Sequence, residues 1–210
     1  MINILIVDDH TIVREGLKQI ISDVPGMDIA DEATNGNEAL AKMRENRFDV
    51  ILLDISMPGK SGLETLKEIK AENQKIPVLI LTMHPEEQYA VRVLKAGASG
   101  YLTKESAPDE LITAIRKVTN GGKYVSASLA EKLAFHLEAD TEKLLHETLS
   151  DREYQVLCKI SSGNTISEIA EEMSLSVKTI STYRARILEK MGMKSNAELT
   201  YYAIKNQLVY

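Results

Sequence analysis

The chain has 210 residues, 44% of them hydrophobic and 5% aromatic, with one cysteine and a formal net charge of −6. This length suits two small folded domains, and the lone Cys158 excludes an intramolecular disulfide framework and suits a reducing compartment. No apolar run approaches the ~20 residues of a membrane span, and the opening MINILIVDDH reaches charge too early for a secretory signal. A soluble cytoplasmic protein without membrane association is expected.

Residues 2–7 (INILIV) predict a strand ending at Asp8 and Asp9. A helical pattern follows through Ile12, Val13, Leu17, Ile20 and Ile21, closed by Pro25 and Gly26. Residues 27–33 read as a second strand, and Gly36 leads into a helix carrying Ala39, Leu40 and Met43. Residues 49–53 (DVILL) are nearly continuous in apolar character, as in a strand buried on both faces of a parallel sheet. That strand stops at Asp54; Pro58, Gly59 and Gly62 break the chain before a helix through Leu63, Leu66 and Ile69. A fourth strand, residues 78–81, ends in Thr82, and Pro85 opens a helix through Tyr89, Val93 and Leu94. A fifth, around Tyr101 and Leu102, ends at Lys104, and Pro108 starts a helix halted by Gly121 and Gly122. Five βα units in strict alternation predict an α/β, doubly wound parallel sheet with helices on both faces.

In such a sheet the carboxyl ends of the strands share one crevice. Asp8, Asp9, Asp54, Thr82 and Lys104 all fall there. Carboxylates held close together without a ligand repel one another, whereas a hard divalent cation such as Mg²⁺ binds them and keeps positions open for water and phosphate. A carboxylate beside that ion, with an ammonium and a hydroxyl to hold phosphoryl oxygens, suits phosphoryl transfer onto Asp54 to give an acyl phosphate.

Residues 1–122 resemble the receiver domain of two-component response regulators. The resemblance implies a flavodoxin-like five-stranded sheet of order 2-1-3-4-5, with Asp54 as the phosphoacceptor. It implies Mg²⁺ held by Asp9, Asp54 and the backbone carbonyl of Ser56, with Asp8 acting through metal-bound water. Thr82 and Tyr101 correspond to the switch pair, whose ring turns inward on phosphorylation, and Lys104 to the phosphate-binding lysine. A sensor histidine kinase is the implied donor. Glu105 stands where many receivers have proline, so a trans bond is expected after Lys104. His10 reads as a helix-start residue and His84 as an exposed loop histidine, although His84 lies close enough in sequence to Thr82 to influence access of water to the acyl phosphate.

Residues 123–148 read as an acidic helical linker, with a break expected at 139–141. Beyond it, Ser150 and Glu153 have capping-box spacing, opening a helix that buries Val156, Leu157 and Ile160 and ends at Gly163. A short helix over 165–173, a turn at Ser174 and Leu175, a helix from Ser176 to Met191 stopped by Gly192, and a last helix over 196–206 complete a small all-α four-helix domain. The two middle helices describe a helix-turn-helix, and five basic residues between Lys178 and Lys194 face only Glu189 as an opposing acid. Residues 149–210 are similar to the LuxR-type DNA-binding domain through LSDREYQVL, SEIAEEMSLSVKTIS and ILEKMG. Together the domains resemble a NarL/FixJ-family response regulator, with KTISTYRARILEKM nearest the branch containing the BvgA, EvgA and GacA regulators.

Early positions of that helix face the major groove of double-stranded DNA. Lys178, Ser181, Thr182 and Arg184 are candidate base readers, and Tyr183, Arg186 and Lys190 candidate phosphate contacts. Ile180, Ile187 and Leu188 are assigned to the core. In the family the last helix supplies a dimer contact, so a phosphorylated homodimer on paired promoter half-sites is the expected binding unit. Two alternatives stay open: a Mg²⁺-dependent phosphatase using Asp54 as nucleophile, and a DNA-binding regulator indifferent to phosphorylation.

Overall fold

The computed structural model describes residues 1–127, 129–131 and 144–209. The chain divides into two compact units, Met1–Leu133 and Ala134–Tyr210. In the first, β1 (Ile2–Val7), β2 (Met27–Ala33), β3 (Val50–Leu53), β4 (Val78–Thr82) and β5 (Gly100–Thr103) alternate with α1 (Thr11–Ser22), α2 (Gly36–Glu45), α3 (Gly62–Glu72), α4 (Glu86–Lys95) and α5 (Pro108–Thr119). The sheet is parallel throughout, in the order β2-β1-β3-β4-β5. Successive side chains on a strand point to opposite faces, so the continuous apolar runs feed two cores. Ile4, Ile6, Val50, Leu52, Leu79, Leu81 and Leu102 bury against Leu17 and Ile21 of α1 and Leu111, Ile115 and Val118 of α5. Leu5, Val7, Ile51, Leu53 and Ile80 face the other way and are equally buried.

The helix starts follow local chemistry. Ser61 and Glu64 form a reciprocal capping box at α3, Asn35 caps α2, and Pro108 occupies the first turn of α5. No cis peptide bond occurs among the described residues, so the Lys104–Glu105 bond is trans as expected. The segment expected to be a linker begins attached to the sheet: the Tyr124 amide donates to the Ser99 carbonyl at 2.9 Å, and the Tyr101 amide to the Tyr124 carbonyl at 3.2 Å. Leu129 is buried, and the Ser126 hydroxyl donates to Glu86. The expected break at 139–141 lies outside the described residues.

In the second unit a 3-10 turn (Leu145–Thr148) precedes α6 (Asp151–Ser161), α7 (Ile166–Glu172), α8 (Val177–Met191) and α9 (Asn196–Lys205). Capping boxes open α6 (Ser150 with Glu153) and α7 (Thr165 with Glu168), and Ser176 caps α8. Val156, Leu157, Ile169, Ile180, Ile187, Leu199 and Ala203 form the interior. Leu188, assigned to the core from sequence, is only half-buried, because the inward stripe of α8 runs Ile180, Ile187, Met191. The turn between α7 and α8 lacks glycine, and Ser174 itself takes the left-handed conformation with φ 53°.

Lys190, expected to contact phosphate, instead bonds to the buried carboxylate of Glu153 at 2.7 Å, tying α8 to the start of α6. Burial alone raises the Glu153 pKa; the Lys190 ammonium and the Ser150 amide and hydroxyl outweigh it and hold the group below the ordinary glutamate value. A depressed folded-state pKa gives stability that is present above the unfolded glutamate pKa and lost as pH falls through the folded one. Lys190→Ala is expected to cost about 1 kcal/mol at neutral pH, Lys190 being partly exposed. The cost shrinks below the glutamate range, as hydrogen exchange of the α6 amides will report.

Candidate functional site

The site lies at the carboxyl edge of β1, β3, β4 and β5. Asp8 and Asp54 are each 2% exposed, because both follow strands buried on two faces. Lys104 reaches between them from the end of β5: its Nζ lies 2.6 Å from Asp8 Oδ2 and 2.7 Å from Asp54 Oδ2. Burial by itself lowers the Lys104 pKa; the charges and hydrogen bonds of Asp54 and Asp8 reverse this and raise it, so the ammonium is retained. The other Asp54 oxygen accepts from the Ser56 amide at 3.2 Å. The Gly62 amide donates to the Ile55 carbonyl at 3.0 Å, folding the β3–α3 loop back on itself.

Asp8, Asp9, His10 and Asp54 each offer a ligand atom, all within 4.8 Å of one another. Asp9 Oδ1 is buried without a hydrogen-bond partner. His10 Nδ1 stands 3.1 Å from it, out of hydrogen-bonding alignment. Hard carboxylate oxygens, one of them orphaned, fit a hard divalent cation. His10 is the start residue of α1 as expected, yet its amide and ring both bond to Asp8 Oδ1, which fixes that carboxylate.

Thr82 is fully buried; its carbonyl accepts from the Lys104 amide at 2.8 Å, and its Oγ1 stands 3.5 Å from the His84 amide. The Tyr101 ring is already inward and 1% exposed, its hydroxyl donating to the His84 carbonyl at 2.8 Å and more weakly to that of Pro85. The inward position expected on phosphorylation is thus the one the ring occupies here. His84, read from sequence as an exposed loop residue, is half-buried. Its Nε2 meets Ser56 Oγ at 2.7 Å, its Nδ1 meets Gln88 Oε1 at 2.9 Å, and its ring tilts over Tyr89. Arg14, missed altogether, is 9% exposed; it donates to the Asp8 carbonyl at 2.8 Å and to Glu32, supporting the acid pair from below. Its place three residues before Leu17 and seven before Ile21, on the inward stripe of α1, is the sequence signal that pointed to it.

On the second unit, Lys178, Ser181, Thr182 and Arg186 are exposed on α8, while Tyr183 and Arg184 are half-buried. Lys178, Thr182 and Arg186 recur every four residues and so share one face. The Thr182 hydroxyl donates to the Lys178 carbonyl, and Arg184 Nε donates to Asn196 Oδ1 at 2.6 Å. With Lys190 held by Glu153, the open cations of the face are Lys178 and Arg186.

Residues 4–116 match the family model of the response regulator receiver domain, and residues 147–203 that of bacterial regulatory proteins of the luxR family. The response regulator UvrY of Escherichia coli (strain K12) is 38% identical over 209 residues, covering 99% of this chain and 96% of that protein. The response regulator GacA of Pseudomonas protegens is 37% identical, covering 100% of this chain and 98% of that protein. Among solved structures, RcsB from Salmonella enterica serovar Typhimurium, bound to promoter P1flhDC in the presence of phosphomimetic BeF3−, superposes with a TM-score of 0.60 at 26% identity. That alignment covers 96% of this chain and 97% of RcsB. With a receiver-type sheet, an acid and lysine cluster at its carboxyl edge and a helical luxR-type unit after it, the chain belongs to the response regulators of the NarL/FixJ family.

Proposed function

We propose that this protein is a phosphorylation-switched transcription regulator that binds promoter DNA. The observation that carries the reading is Lys104 bonded at once to Asp8 and Asp54, beside the orphaned oxygen of Asp9. Asp54 is the acceptor: the P–N bond of a phosphohistidine on a sensor histidine kinase breaks, a P–O bond forms to the carboxylate, and the imidazole leaves. Asp9, Asp54 and the Ser56 carbonyl, with Asp8 through water, would hold Mg²⁺, which when bound neutralises charge on the incoming phosphoryl group. Lys104 takes a phosphoryl oxygen as Asp54 becomes the acyl phosphate. The Thr82 hydroxyl takes another, and Tyr101, anchored to the β4–α4 loop, passes the change outward. The protein is no enzyme on other substrates; its chemistry ends on its own Asp54, and it works in the cytoplasm. Among the described residues no helix is long and apolar enough to cross a membrane.

We divide the chain into a phosphoacceptor domain (1–122), a connecting segment (123–148) and a DNA-binding domain (149–210). Phosphate adds roughly 1.5–2 negative charges at one point. Turning the population from 1:99 to 99:1 requires that it favour the active form by about 5.5 kcal/mol. On α9, Ala197, Tyr201 and Ile204 are exposed and four or three residues apart, which supports a two-fold dimer through that helix.

Lys178 and Arg186 give the DNA test. Genomic fragments selected by the phosphorylated protein serve as ligand in a fluorescence-anisotropy titration, run with and without acetyl phosphate and Mg²⁺. Phosphorylation is expected to tighten binding and to double the particle size. Arg186→Gln is expected to weaken all fragments alike and to reduce the log–log salt slope by about 0.9. Lys178→Gln costs about 1–3 kcal/mol and relaxes sequence preference. Equal affinity with and without phosphoryl donor would establish the phosphorylation-indifferent alternative.

A further inference from the structure

The sheet has a second polar crevice, at the end opposite Asp54. Residues preceding β4 and β5, with the ends of α3, α4 and α5, line a cavity of about 460 Å³ whose wall includes Lys70, Lys75, Lys95, Lys123 and Ser99. That volume lies within the range of small-molecule sites. The lysines converge from three separate stretches of a domain whose residues 1–123 carry 15 Lys/Arg against 19 Asp/Glu. No acid is present in 116–123, and the one acid in 70–77, Glu72, is taken by Arg44.

None of Lys70, Lys75 and Lys123 has an ion-pair partner among the described residues. Lys70 Nζ rests on the Ile76 carbonyl at 2.5 Å and more distantly on that of Gln74, and Lys123 Nζ on the Ala98 carbonyl at 2.5 Å. An ammonium has three donors, so these carbonyls orient the groups without neutralising them. Burial pushes the Lys70 pKa down, and the nearby charge of Lys123 lowers it further. Like charges held together and partly desolvated are costly unless an anion joins them.

We propose that this cavity is an anion site for a small molecule carrying several phosphate groups, separate from the Asp54 site. Lysine suits such a ligand as a point charge with rotatable donors. Several ammoniums around one cavity match a chain of phosphates better than a single carboxylate, and the Ser99 hydroxyl and Gln74 amide add neutral polar contacts.

The probe is inorganic tripolyphosphate, titrated calorimetrically into the full chain without Mg²⁺, with ATP and AMP as further arms. Tripolyphosphate is expected to bind once per chain, and each Gln substitution at Lys70 or Lys123 to weaken it about tenfold. Lys70→Arg, which keeps the charge, should retain binding, and Lys75→Gln, at an exposed lysine, should weaken it without affecting folding. Lys178→Gln/Arg186→Gln, which removes the open cations of α8, should leave it unchanged. ATP binding while AMP does not marks the phosphate chain as the recognised part; tripolyphosphate alone marks inorganic polyphosphate as the source. The proposal is overturned if Lys70→Gln/Lys123→Gln binds as tightly as the parent, if the α8 variant loses the binding, or if no saturable binding is seen.

Discussion

Asp54→Asn will take up no phosphoryl group from acetyl phosphate and Mg²⁺, and its DNA affinity will no longer respond to the donor. The amide keeps the shape of the side chain but removes the nucleophilic charge that forms the acyl phosphate. It also removes one of the two carboxylates that hold Lys104, leaving the ammonium on Asp8 alone. The fold should survive, because the strand carrying Asp54 is secured by Val50, Ile51, Leu52 and Leu53, all at most 1% exposed. Phosphoprotein gels and intact mass report the incorporation, and anisotropy the loss of response. Incorporation at the wild-type level would remove Asp54 from its role, and steady turnover of small phosphate esters by the parent chain would favour the phosphatase alternative.

The second large effect comes from a residue without a side chain. A Cβ placed on Gly62 would stand 1.9 Å from the Asp54 carbonyl oxygen, 2.7 Å from Ile55 Cα and 2.8 Å from the Asp54 carbonyl carbon. Every obstacle is backbone, so no rotamer relieves it, and the segment carrying Asp54 must move. Gly62→Ala is therefore expected to destabilise the first domain by about 1–3 kcal/mol, the usual cost of overpacking. Displacement of about 1 Å at a reacting group costs roughly 100-fold in rate, so phosphorylation by acetyl phosphate should fall by that order. Paired chemical denaturation and phosphorylation time courses check both parts. A variant of parental stability and rate would show that the loop yields elsewhere.

These expectations rest on features of unequal legibility. The bounds of β1 were readable because its apolar run ends abruptly at Asp8, and the start of α6 because Ser150 has Glu153 three residues later; Ser61 and Thr165 carry the same signal before Glu64 and Glu168. Strict βα alternation carried the sheet order through the resemblance, and strand ends told where polar groups would gather. Contacts between residues far apart in sequence left no local trace. Lys190 and Glu153 are 37 positions apart, and Ser56 and His84 are 28 apart. Neither pair belongs to a periodic pattern, so Lys190 read as an open cation and His84 as an exposed side chain. Tyr124 read as linker because the two glycines before it look like an ending; its pairing with Ser99 and Tyr101 depends on where the sheet edge lies. Ser174 in a left-handed conformation is likewise invisible to a search for glycine.

The lysine wedged between Asp8 and Asp54 also sets the ionic balance of the pocket. Three carboxylates and one ammonium leave a formal deficit of two positive charges, which is the valence of a single alkaline-earth ion. A monovalent ion would leave the cluster anionic and hostile to an incoming phosphoryl group, and a trivalent one would overcompensate. One divalent counterion would bring the formal charge of these four side chains to zero.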